Sequence, residues 1–398
     1  MKTILSINTV NYGSTGNIMR GISKIAEKNG FEYWQAYAPD KHNSPSLNRD
    51  IIILPYNIRR LNEYYSWFTG KRGFSSYFST KNFLKKVDKI KPDIIHLHNL
   101  HNNYIHVGLL FDYIKKNHIK VVWTLHDCWA FTGRCPHFQM SGCDKWKTGC
   151  YDCSYPKEEY PSVQVDKSDI LWKMKKAVFT GVENLTIITP SEWLAGLVKE
   201  SFLSEYPVKV INNGIDLNVF KPTESDFKKV YGLEGKKLVL GVALGWDKRK
   251  GCEDLLELAK ILHDDYRLIL VGAFKEQINS FPANIIGIEK TNNLKKLAEI
   301  YSVSDVFINT TYEDNYPTVN LEARACGLPV ITYKTGGSPE SAGEGAIIVD
   351  VGDIYGLKLA IEQQLGKKNE NINKVDLSAE TKFTEYIKLY NFVSRGIY

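Results

Sequence analysis

The sequence predicts an α/β protein made of two doubly wound, parallel-sheet domains, and three observations carry that prediction. Short β-branched runs alternate with helix-length segments along almost the whole chain, which is the pattern of βαβ units. The alternation forms two series separated by a stretch, 208–222, punctuated by Asn-Gly and Lys-Pro. A chain of 398 residues also exceeds what one ordinary core organises.

In order, the first series places strands at 3–8, 33–38, 51–54, 93–98, 120–125 and 185–189. The second places them at 238–243, 267–271, 284–288, 305–309, 330–333 and 346–349. This gives a first domain over 1–207, a linker over 208–220 and a second domain over 221–378. A final amphipathic helix over 379–398, with Phe383, Tyr386, Ile387, Tyr390 and Phe392, is expected to pack back on the first domain. Two such Rossmann-like domains facing a central cleft would hold a ligand at the carboxyl ends of their strands.

Composition narrows the class. Apolar residues at 43% and charged residues at 24% suit a folded soluble chain, and no apolar run is long enough to span a bilayer. The opening MKTILSINTVNYGSTGN reads as a first strand running into a glycine turn rather than a secretory leader, so a cytoplasmic location is expected. The net charge of +6 is uneven. Nine basic residues (Arg59, Arg60, Lys71, Arg72, Lys81, Lys85, Lys86, Lys89, Lys91) face two acidic ones between 59 and 91, interleaved with eight aromatics. Such a surface suits an anionic membrane, which would make the protein peripheral on the inner membrane face. The alternative is a solvated helix pair whose aromatics pack inward. No nucleic-acid motif accompanies the charge.

The stretch Thr310-Thr-Tyr-Glu-Asp-Asn-Tyr-Pro-Thr-Val-Asn-Leu-Glu-Ala-Arg-Ala-Cys-Gly-Leu-Pro-Val330 ends a strand, crosses a polar loop and enters a helix near Pro317. N–H groups at such a helix start suit a diphosphate, which points to Tyr316, Pro317, Thr318 and Val319. Glu322, one turn on, could reach a ribose hydroxyl pair, and Glu313 or Asp314 could grip sugar hydroxyls. A second constellation, Gly241-Val-Ala-Leu-Gly-Trp-Asp-Lys-Arg-Lys-Gly251, follows a strand and supplies Arg249 and Lys250 as cations for a leaving diphosphate.

These residues resemble the retaining family 4 glycosyltransferases of the GT-B fold. Asp314 and Glu322 match the acidic-x7-Glu signature, and Ala-Cys-Gly-Leu-Pro-Val and Thr335-Gly-Gly-Ser-Pro-Glu340 also look like that family. The loop Glu-Asp-Asn-Tyr-Pro is closer to the colanic-acid and capsular-polysaccharide branch. The resemblance implies a nucleotide-sugar donor (UDP- or GDP-), a lipid-linked or growing saccharide acceptor, and catalysis without a metal cofactor. It gives Lys250 the phosphate role, while the usual partner arginine position is Gly245, leaving Arg249 as substitute. It sets Gly13 and Gly16 of the loop after the first strand, and Gly336 and Gly337, beside the donor. His126, in Trp123-Thr-Leu-His-Asp127, would bond the transferred sugar. Asn99, His101 and Asp127 are expected on the acceptor side. His96 and His98 share a strand face, but no partner ligand is evident. A catalytically silent sugar-nucleotide-binding scaffold and a nucleotide-sugar epimerase stay open as alternatives.

Five of the seven cysteines fall between Cys128 and Cys153. Cys135, Cys143, Cys150 and Cys153 could form a structural zinc site in a loop with little core of its own. Reduced, unligated thiols or disulfides formed on handling are the alternatives.

Overall fold

The computed structural model describes residues 1–153, 166–291, 293–367 and 377–395. The chain divides into two compact units, Met1–Asn212 with Lys382–Tyr398, and Asn213–Thr381. The first holds a seven-stranded sheet of β1 (Thr3–Asn8), β2 (Glu32–Tyr37), β3 (Asp50–Ile52), β4 (Ile94–Leu97), β5 (Lys120–Thr124), β6 (Leu185–Thr189) and β7 (Val208–Val210). Its order is β3-β2-β1-β4-β5-β6-β7, parallel throughout. The second holds β8 (Lys237–Val242), β9 (Tyr266–Val271), β10 (Ile285–Ile288), β11 (Val306–Asn309), β12 (Val330–Tyr333) and β13 (Ile347–Val349). That sheet runs β10-β9-β8-β11-β12-β13, again parallel.

Helices cover both faces of each sheet, so the strands are aliphatic on both sides. Alternate residues feed separate cores. Leu5 and Ile7 of β1 join one cluster and Ile4 the other, while Leu238 and Leu240 of β8 oppose Val239. The helix Ala379–Ser394 buries Tyr386, Ile387, Leu389, Tyr390 and Val393 against Ile4, Ile22, Tyr33 and Val122 of the first unit. The sequence reading began a connection at 208. The structure instead adds β7 there, in register with β6 (Ile187 opposite Val208). The strand is short, with Lys209 exposed and both valines only partly buried, so its apolar signal is weak.

In both sheets the strand order reverses between the first strand and the fourth of its series, β1/β4 and β8/β11. The loops leaving these strands diverge, opening a crevice at their carboxyl ends where ligands bind in such folds. In the first unit those loops carry Gly13 and the histidines. In the second they carry Lys250 and Asp314.

Candidate active site

In the second unit the loop after β8 ends in a short 3-10 turn, Lys248–Lys250, with the Asp247 side chain accepting from the Lys250 N–H. This turn is laced to the loop after β11. The Tyr312 N–H donates to the Arg249 carbonyl at 2.8 Å, and the Thr310 hydroxyl donates to the Lys250 carbonyl at 3.0 Å. Gly251, at φ 72, is forced by this approach, because a Cβ would stand 2.3 Å from the Thr310 carbonyl oxygen. The lacing aims Lys250 across the crevice. Its Nζ donates to Asp314 Oδ2 at 3.1 Å and lies 3.4 Å from Thr311 Oγ1. Both partners stay partly exposed. Glu313 is buried, so of the two candidate carboxylates Asp314 is the one a ligand can reach.

Asp314 is fixed from below by Gly336 and Gly337. The Gly337 N–H donates to the Asp314 carbonyl at 3.1 Å, and Gly336, at φ 53, approaches so closely that a Cβ would sit 1.9 Å from that oxygen. Tyr316 follows, its N–H donating to Asp314 Oδ1 at 3.3 Å. Pro317 then caps the helix Thr318–Ala325. Thr318 and Val319 lie in its first turn, where N–H groups lack intrahelical partners. Glu322 keeps part of its surface exposed while surrounding protein desolvates it, pushing its carboxyl up to about 7 despite a hydrogen bond from the Tyr301 hydroxyl at 3.0 Å.

Sequence reasoning missed the residues that hold this helix in place. Asn320 is buried. It accepts from Asn309 at 3.0 Å and donates to Ser341 Oγ at 2.8 Å and the Ser338 carbonyl at 3.2 Å. Arg324, also buried, donates to the Ser341 carbonyl at 2.9 Å. A polar residue midway along an apolar helix face was the available signal. Gly245, where the resembled family carries arginine, stands at φ 80, with a Cβ position 2.8 Å from the Phe274 ring. An arginine there would be strained and would displace the Phe274 ring.

In the first unit Asn8, at the end of β1, donates to the Val10 carbonyl and accepts from the Asn99 N–H at 3.3 Å. It thereby joins the two loops of the switch point. Gly13 opens the helix Gly13–Lys28 with nothing within 4 Å of its Cβ position, while Gly16 packs against Asn11. His98 Nδ1 and His126 Nε2 share a 3.0 Å hydrogen bond. His101 Nε2 meets Asp127 Oδ2 at 3.0 Å. Burial lowers His126 to about 4 and His96 to about 3, so both are neutral imidazoles near pH 7. Burial alone would raise Asp127, but the His101 charge and hydrogen bond bring it down to about 2. His96 spends both ring nitrogens internally, on the Tyr390 hydroxyl at 2.6 Å and Thr124 Oγ1 at 2.8 Å.

The cysteine segment corrects one expectation. It has a core of its own, with Trp146 buried between Phe131 and Phe138 at 5.2 Å each. Lys175 is buried beneath it, its Nζ donating to the Trp129 and Thr132 carbonyls at 2.7 and 3.0 Å and lying 3.6 Å from the Trp129 ring centre. Cys135, Cys143, Cys150 and Cys153 line one small cavity, and none of them is in a disulfide. Cys150 Sγ accepts from the Gly133 N–H at 3.1 Å. Among the described residues, no three Cys, His, Asp or Glu side chains form a group that could hold a metal ion. The four thiols are gathered at that cavity, and no step of the transfer is routed through a metal there.

Two family models cover most of the chain, glycosyl transferases group 1 over residues 223–382 and Glycosyltransferase Family 4 over residues 37–219. The chain belongs to the GT-B glycosyltransferases of group 1, with a family 4 amino-terminal domain. It is thus a glycosyltransferase. Among its relatives is WcaC of Escherichia coli (strain K12), assigned to colanic acid biosynthesis as a glycosyl transferase. The two are 28% identical over 328 residues, covering 75% of this chain and 76% of the relative. Sucrose-phosphate synthase from Thermosynechococcus elongatus shares the fold with TM-score 0.72 at 16% identity, over the whole of both chains. The Anabaena protein Alr3699/HepE, solved with UDP-glucose, shares it with TM-score 0.66 at 15% identity, over 98% of this chain and all of that one. For this glycosyltransferase, the matched group 1 region contains Lys250, Asp314 and Glu322, and the family 4 region contains His126 and the five clustered cysteines from Cys128 to Cys153.

Proposed function

We propose that this glycosyltransferase moves a hexose-type sugar, with retention, from a UDP- or GDP-sugar to a lipid-linked or growing saccharide in surface polysaccharide synthesis. The observation that carries the reading is the Lys250–Asp314 pair, 3.1 Å apart, beside the start of the helix that bears Glu322. Diphosphate oxygens entering this site would compete for Lys250 and free Asp314 to accept hydroxyls of the sugar. Glu322 would accept the ribose hydroxyls. As the bond from the anomeric carbon to the diphosphate breaks, negative charge grows on the leaving oxygen, where Lys250, Arg249 and the helix N–H groups stabilise it. The acceptor hydroxyl adds to the same face of the anomeric carbon and its proton passes to the departing phosphate. This route needs no protein base, in keeping with a neutral His126, which is assigned to a sugar hydroxyl. Asn99, His101 and Asp127 are assigned to the acceptor.

The relation to a colanic acid transferase supports the product class. We place the protein in the cytoplasm at the inner membrane face. Among the described residues no helix is long and apolar enough to cross a membrane.

The test is thermal stabilisation by a panel of nucleotide sugars, followed by transfer in the presence of a chelator and determination of the product anomer. Stabilisation by one UDP- or GDP-sugar, chelator-resistant turnover and a retained anomer are expected. An inverted product would refute the mechanism. Gly245 favours one second reading, a silent donor-binding scaffold, which would show the stabilisation without turnover.

A further inference from the structure

The helix Tyr56–Thr69 is an amphipathic helix packed by Ile58 and a set of polar residues. Ser66 is buried, donating to Asn103 at 2.7 Å. Asn62 and Arg59 flank it, bound to Ser76 and to Asp40. The opposite side carries Leu61, Tyr64, Tyr65 and Phe68, spaced i, i+3, i+4, i+7, and all four are exposed, Leu61 by 61% and Phe68 by 67%. Burying such a stripe is what ordinarily fixes a helix to its fold. Here it faces outward.

The next helix, Tyr77–Ile90, buries Thr80, Phe83 and Val87. Its outward side begins with Phe78, exposed by 80%, and continues through Lys81, Lys85 and Lys89, all exposed. Lys81 Nζ lies 4.6 Å from the Tyr77 ring centre. Asn62 donates to Ser76 at 2.6 Å, so the start of this helix adjoins the middle of the first. Arg60 and Lys71 are exposed nearby. The acidic residues of the stretch are already engaged, Glu63 by Arg59 and Arg60 and Asp88 by the Tyr113 hydroxyl.

We propose that these two helices form a docking face for an anionic lipid bilayer. Leu61, Phe68 and Phe78 enter the acyl boundary, the tyrosines lie at headgroup depth, and Arg60, Lys71, Lys81 and Lys85 meet lipid phosphates. Charge complementarity selects this occupant, because the apolar stripe is bordered by cations of one sign. A second copy of the chain would bring the same cations against each other. The face contains no residue of the proposed donor site, so it stands or falls independently of the transferase mechanism.

The full chain should float with phosphatidylcholine vesicles containing phosphatidylglycerol and not with phosphatidylcholine alone. A triple variant, Leu61→Ser, Phe68→Ser and Phe78→Ser, should lose at least roughly tenfold in partition, and Lys81→Glu with Lys85→Glu a similar amount. Both variants should keep the wild-type circular dichroism and donor-induced stabilisation. Phe78→Ser alone, a change at a largely exposed side chain, guards against misfolding and should weaken binding in part. Equal partition onto both vesicle types overturns the proposal, as does wild-type flotation by the folded triple variant. So does a concentration-dependent dimer that the triple variant abolishes, since the face would then belong to a second copy.

Discussion

The two switch points share a topology and differ in their electrostatics. In the second unit Lys250 and Asp314 hold opposite charges 3.1 Å apart at a partly exposed edge. In the first, His96 packs at a tilt on His98 with ring centres 4.1 Å apart, and His98 stacks on His126 at 5.3 Å. Burial keeps all three uncharged. A doubly wound sheet fixes where a crevice forms and leaves its chemistry to the loops. The charged edge suits a diphosphate, whose negative charge grows during transfer. The uncharged histidines suit hydroxyls, which ask for hydrogen bonds without net charge, and the Asp127 carboxylate beside them is already paired with His101.

That contrast breaks first at Lys250. Lys250→Ala should lower turnover by roughly a hundred- to a thousandfold, the scale of losing one preorganised group at a developing charge. The ion pair itself, partly solvated, is worth only about 0–1 kcal/mol of stability, so the melting temperature should barely move. Steady-state kinetics beside a thermal melt separates the two effects, and near-wild-type turnover would remove Lys250 from the mechanism. Next in size is a pair of glycine changes. Gly336→Ala meets the Asp314 carbonyl at 1.9 Å and should cost about 2 kcal/mol or more, with weakened donor binding. Gly13→Ala, with no atom within 4 Å of the new Cβ but φ at 67, should cost about 1 kcal/mol. Denaturant melts of both variants measure the difference.

The loop chemistry was legible where it is local. Lys250, Asp314 and Glu322 announce themselves through short motifs beside strand ends, and the aliphatic runs of β1, β6, β11 and β12 mark buried parallel strands. What the sequence hid is held by partners distant along the chain. Tyr301 reaches Glu322 across 21 positions, Asn309 meets Asn320 inside the core, and Tyr390 reaches His96 across 294. Nor does spacing reveal that the helix Tyr56–Thr69 turns its apolar stripe outward, since the same periodicity serves either orientation. The core of the cysteine segment was hidden as well, because the buried Lys175 and the aromatic packing around Trp146 do not show as a pattern.

A smaller effect follows from Glu322. Its carboxyl holds a proton up to about 7 in the folded chain, against 4.5 for an ordinary glutamate. The folded state therefore binds the extra proton between those values. The stability tied to this group is fully present below the ordinary value and is lost as pH rises through about 7. In the proposed site the ribose needs the carboxylate as acceptor, so donor affinity should move the opposite way, strengthening as pH rises through that range. Glu322→Gln should flatten both profiles and weaken donor binding by about tenfold. Calorimetric titration with the donor across pH measures it, and an unchanged pH profile in the variant would assign the dependence to another group.

The smallest effect tests whether the histidine cluster of the first unit has a fixed support. The Tyr390 hydroxyl lies 2.6 Å from His96 Nδ1, His96 packs at a tilt against His98, and His98 hydrogen-bonds His126. Tyr390→Phe leaves that buried nitrogen without its partner, at a cost of about 1–2 kcal/mol. Hydrogen exchange should show the loss in the first unit while the second keeps its protection and its donor-induced stabilisation. The histidines also set a direction with acid. Their folded values lie below the ordinary imidazole range, so the stability they carry is full above that range and is lost as pH falls toward about 4 for His126. Acid should therefore open the first unit under conditions where Glu322 favours the folded second unit. Tyr390→Phe should move that opening to higher pH. A uniform loss of protection across both units would mean that the two edges are not energetically separate.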